Sequence, residues 1–85
     1  MVEGPPFRGA DLAAQHSADR LALALESIGF DVGQAFPMLG SGRDHRGRPR
    51  VELGRVAAVV ADQLSTVLLR AAEHGIVVSA DERDG

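Results

Sequence analysis

GSGRDHRGRPRVELG, residues 40–54, decides what kind of fold the rest of the chain can join. Arg50-Val51-Glu52-Leu53 alternates polar and apolar residues, the period of a half-buried strand. Gly42 to Pro49 has the glycines and polar residues of a turn, and Pro37-Met38-Leu39 leads into it. The stretch therefore predicts a hairpin, about 37–43 against 49–54, with helical periodicity on either side.

Upstream, Asp11 offers a side-chain oxygen as a helix cap, and Ala14, Ala18, Leu21, Leu25 and Ile28 recur at steps of three and four. This predicts a first helix over about 11–28, stopped by Gly29 in a left-handed conformation, with Phe30 making the hydrophobic contact of such a cap. Downstream, Val56, Val60, Leu64, Val67, Leu68 and Ala71 share one face of a second helix, from Arg55 or Val56 to His74. Gly75 and Ile76 repeat the places of Gly29 and Phe30. LALALESIGFDV from Leu21 and VLLRAAEHGIVV from Val67 align without a gap, which shared helix-stop chemistry explains as well as duplication does.

Phe30–Val32 and Val77–Val78 read as two further short strands. The expected fold class is α+β, in helix–hairpin–helix order, with two helices packed on one face of a small antiparallel sheet. Residues 1–9, with Gly4, Pro5, Pro6 and Gly9, read as a flexible leader that is not helical. Residues 10–79 read as one domain, and the acidic ADERDG of 80–85 as a disordered tail.

A chain of 85 residues holds one small domain, which buries only about 60–65% of its unfolded surface. Such domains commonly draw extra stability from disulfides, a metal or another copy of themselves. With no cysteine, self-association is the natural candidate. A 45% hydrophobic and 25% charged composition is that of an ordinary globular protein. Phe7, Phe30 and Phe36 are its only aromatics, so the core rests on aliphatic residues. All nine cations are arginine, at a net charge of −3, and no apolar run reaches a membrane span. The leader also lacks the pattern of a secretory signal, and the expectation is a soluble, cytoplasmic, bacterial protein.

The hairpin stretch carries net +2 through Arg43, Arg46, Arg48 and Arg50, while the other seventy residues carry −5. On a hairpin tip these arginines could clamp phosphates, and a β-ribbon can enter a major groove. Against that stand the acidic overall balance and the lack of aromatics between the basic residues. The helix–strands–helix order is similar to the double-stranded RNA-binding domain. That domain's basic cluster at the start of the second helix is missing here, where only Arg55 stands, so the resemblance is not adopted.

Neither a GxxxxGK[ST] nor a GxGxxG phosphate loop is present, and no GxSxG nucleophile elbow. His16, His45 and His74 do not share helical ligand spacing, and Glu26, Asp19 and Asp62 fall on polar helix faces. The expectation is no enzyme, no cofactor and no metal.

Four aliphatic residues stand outside the two core stripes: Leu12 and Leu23, eleven positions apart with His16 between them, and Val59 and Leu69. Their placement predicts a protein–protein interaction or accessory module, homodimeric through its helices or docked on a larger protein. A nucleic-acid-binding protein using the arginine turn 43–50 is the alternative.

Overall fold

The structure, a computed structural model, describes residues 8–79. The class is α+β. Helix α1 spans Arg8–Ser27, a short α2 Val32–Ala35, strand β1 Gly40–Arg43, strand β2 Pro49–Glu52, and helix α3 Ala58–Glu73.

Both helix stops follow the predicted chemistry. Gly29 takes φ 109° and Gly75 φ 78°. The N–H of Phe30 donates to Leu25 C=O at 3.0 Å and that of Gly29 to Glu26 C=O at 3.0 Å. Ile76 donates to Ala71 and Gly75 to Ala72 in the same pattern, at 2.9 and 3.0 Å. Each glycine thus closes a Schellman motif, which satisfies carbonyls that the helix end leaves orphaned.

Helix α1 begins before Asp11, taking in Arg8 and Gly9 from the expected leader. A glycine in a helix costs mainly backbone entropy, about 0.5–1 kcal/mol relative to alanine, which a 20-residue helix absorbs. Asp11 is consequently not the cap but a first-turn acid, favoured by the helix dipole. Residues 1–7 and the tail 80–85 lie outside the described residues. Helix α3 starts at Ala58, later than predicted, with Ala57 at the cap and no side-chain capping bond. No Ser, Thr, Asp or Asn stands between Leu53 and Ala61 to begin it sooner.

The hairpin pairs Gly40 with Glu52, Ser41 with Val51, Gly42 with Arg50 and Arg43 with Pro49. Gly47 donates to Asp44 C=O at 2.9 Å with φ 80°, and Asp44 N–H donates to Arg48 C=O at 2.9 Å. This is a type I turn followed by a left-handed glycine, a common three-residue hairpin loop.

Two expected strands do not form. Asp31 C=O instead accepts the N–H groups of Gln34 and Ala35, at 2.9 and 2.7 Å, and winds the chain into α2. That turn sets Phe36 edge-on to Phe30, ring centres 5.4 Å apart at 89°. Val77 and Val78 have no strand partner among the described residues.

The covering of the sheet is uneven. Helix α1 packs on both strands and on α2, whereas α3, the second helix of the expected pair, stands off the sheet. Among the described residues the buried apolar side chains are Ala14, Ala18, Leu25 and Phe36, and three of the four belong to α1. Helix α3 buries none. Ile28, Gly29 and Phe30 line one side of a shallow cleft, and Gln63 and Val67 of α3 line the other.

Candidate interaction surfaces

Leu12 and Leu23 are each 65% exposed, Val59 is 59% and Leu69 65%. On a helix of 1.5 Å rise and 100° per residue, Leu12 and Leu23 lie about 16 Å apart and almost in line, so they make one strip on the back of α1. Val59 and Leu69 lie about 80° apart around α3 and form no such strip.

The inner face of α3 departs further from expectation. Val60, Leu64, Val67 and Ala71 are only half-buried, as is Val56 just before the helix. Leu68, expected in the core stripe, is 59% exposed. A helical stripe records that something covers it, without recording what. Here the sheet does not. Met38, Leu53, Ile76, Val77 and Val78 are exposed too. None of the five was singled out from sequence as a surface residue. The apolar run directly after Gly75 was the available signal.

The arginine turn is ordered from within. Asp44 Oδ1 accepts the N–H of Arg46 at 2.8 Å and of Arg48 at 3.0 Å. The Arg48 N–H is the main reason this carboxyl is held below the usual carboxylate range. Partial desolvation opposes that lowering, while the Arg46 N–H and the charges of Arg48 and Arg50 add to it.

Two of the four arginines have acidic partners. Arg43 Nε lies 3.0 Å from Asp11 Oδ1, and Arg50 Nη2 lies 3.1 Å from Glu52 Oε2. The side chains of Arg46 and Arg48 have no carboxylate within ion-pair distance among the described residues. Between the turn, β1 and the first half of α1 lies an open groove of about 630 Å³. Ser41 Oγ donates to Gln15 Oε1 along it, at 3.4 Å.

His16, His45 and His74 do not converge, and no cluster of potential metal ligands occurs among the described residues. No helix of the described residues is long and apolar enough to cross a membrane. No protein-family model, curated protein or solved structure matches the chain.

Proposed function

We propose that this chain is a non-enzymatic interaction module that associates with a second copy of itself through its helices. One observation carries the reading: among the described residues four apolar side chains are buried, while Leu12, Leu23, Val59 and Leu69 remain mostly exposed. A small domain that hides so little apolar surface gains much by covering more of it. Burying the exposed part of those four side chains contributes about 4–8 kcal/mol before the costs of association. The half-buried stripe of α3 adds to that area on the same helix as Val59 and Leu69. A cytoplasmic, bacterial setting is part of the proposal.

Sedimentation velocity over a range of concentrations tests it. The wild-type chain is expected as a dimer, and Leu23→Glu and Leu69→Glu are expected to shift it towards monomer with unchanged helix content. A wild-type monomer at the highest concentration overturns the reading.

The nucleic-acid alternative draws on Arg46 and Arg48 alone, since carboxylates already answer Arg43 and Arg50. It is the weaker of the two.

A further inference from the structure

We infer that Ile76–Val78 of one copy adds as a third strand to β1 of another copy, at Ser41 on the edge that has no strand partner among the described residues, alongside the helix-mediated pairing proposed above, on which this inference rests. A two-stranded hairpin is marginal by itself and gains from a third strand. The chain holds an apolar segment of high β-propensity that has no strand partner among the described residues. Ile76, Val77 and Val78 follow the α3 stop without regular structure, and Val78 is 81% exposed. Among the described residues, the backbone groups of Val77 and Val78 make no hydrogen bond.

The hairpin register says which edge can receive them. The Asp44–Arg48 bond makes that pair a hydrogen-bonded one, so Arg43–Pro49 and Ser41–Val51 are non-bonded pairs whose backbone groups point outward. On β2 the outward residues are Val51 and Pro49, and Pro49 has no N–H with which to continue a ladder beyond Val51. On β1 the outward groups of Ser41 are intact, and the open groove of about 630 Å³ runs beside them. Strand addition at an edge beside a helix is an established mode of peptide recognition.

Charge selects the direction. The residues after Val78 include Asp81, Glu82, Arg83 and Asp84, net −2, and the hairpin stretch carries +2, with no carboxylate paired to Arg46 or Arg48 among the described residues. Only a parallel arrangement carries that tail past Arg43 towards the turn; an antiparallel one carries it away, towards Met38. In the parallel register Ser41 N–H bonds Ile76 C=O, and Ser41 C=O accepts from Val78 N–H. The Ile76 N–H is already engaged by Ala71, which this register leaves undisturbed.

The absence of native cysteine makes the test direct. Ser41→Cys and Val77→Cys chains are prepared separately, mixed and oxidised, so that any mixed disulfide is between copies. The expected result is a mixed S41C–V77C product several-fold above the S41C and V77C self-products and above an S41C–L12C control. It should fall when salt is raised. Amide exchange on the unsubstituted chain is the second readout, with Val78 protection rising with protein concentration. A wild-type dimer with no preferred S41C–V77C product and no protection at Val78 overturns the strand inference while leaving helix pairing in place. A wild-type monomer overturns both.

Discussion

Arg43 Nε sits 3.0 Å from Asp11 Oδ1, joining the end of β1 to the first turn of α1. The pair spends one of the four hairpin arginines inside the fold, and Arg50–Glu52 spends another. A loop that looks strongly cationic in sequence is therefore about half as cationic towards an outside anion.

That halving sets a number for nucleic-acid binding. Each phosphate neutralised contributes about −0.9 to the slope of log affinity against log salt, so Arg46 and Arg48 allow about −2 for one chain and about −4 for a dimer. The expected mobility-shift result is no retained complex at physiological salt. A complex with a steeper slope, lost in Arg46→Ala and Arg48→Ala, would turn the assignment towards nucleic acid.

The ion pair itself is partly wet, with side chains 37% and 56% exposed for Arg43 and Asp11. Exposed pairs of this kind contribute about 0–1 kcal/mol. A double-mutant cycle of Arg43→Ala and Asp11→Ala, read by urea unfolding, should give a coupling within that span. A coupling near 3 kcal/mol would mean that the pair is buried in solution, as it would be at an interface.

Asp44 governs the shape of the turn through charge as well as geometry. Its carboxyl is lowered in the folded chain, chiefly by the Arg48 N–H. A depressed folded value means that the stabilisation is present above the unfolded carboxyl value, about 3.9, and is lost as pH falls through the folded one. In an NMR titration the Asp44 carboxyl carbon and the Arg48 amide should move together, with a midpoint below that of an unfolded peptide. Asp44→Asn should keep the turn and abolish that shared transition, whereas Asp44→Ala should speed exchange of the Arg48 amide. A midpoint at or above the ordinary carboxyl value would separate the side chain from the turn.

Local chemistry explains what was legible before the fold was known. Gly29 and Gly75 could be placed because a Schellman stop needs only a glycine and an apolar residue after it. The turn over Gly42–Pro49 was legible in the same local way, from its glycines and polar residues, though not the bonds by which Asp44 and Gly47 close it. The position of α3 was not legible, because the apolar arc through Val60, Leu64 and Val67 describes a need for cover and is silent about its source. Phe30–Val32 misled for a related reason: three apolar-rich residues suit a strand, and only the bonds from Gln34 and Ala35 to Asp31 show the chain turning back. As for the surfaces, Leu12, Leu23, Val59 and Leu69 fell outside the core stripes by counting alone. Leu68 did not, since its exposure depends on where its helix lies.

So small a core should make single truncations inside it severe and those outside it mild. Phe36 is buried against Phe30, and removing a buried phenyl ring costs about 3–5 kcal/mol, comparable to the whole stability of a small domain. Phe36→Ala is expected to lose its cooperative thermal transition. Leu12→Ala, on the wet side of α1, should change monomer stability by under about 0.5 kcal/mol. It should still reduce the rise of Tm with protein concentration that a dimer produces. Equal losses from the two substitutions would place the core somewhere other than the α1–α2 corner.

Gly54 separates two reasons for a glycine. At Gly29 and Gly75 nothing lies within 4 Å of where a Cβ would stand, so alanine there meets only the left-handed backbone penalty, about 1–2 kcal/mol. At Gly54, with φ 74°, a Cβ would overlap the Cβ and Cγ of Met38 as well. Met38 and Gly54 approach where the chain enters and leaves the hairpin, and Met38 cannot yield by swinging its far end, because its Cβ moves only with the backbone. Gly54→Ala should therefore cost more than Gly29→Ala, by about 1–3 kcal/mol for overpacking at that contact. Urea unfolding of the two variants, under conditions that keep both monomeric, gives the comparison. Were their losses equal, Met38 would be free to leave Gly54, and the hairpin would be joined to α3 by Leu53–Ala57 without a fixed contact across its base.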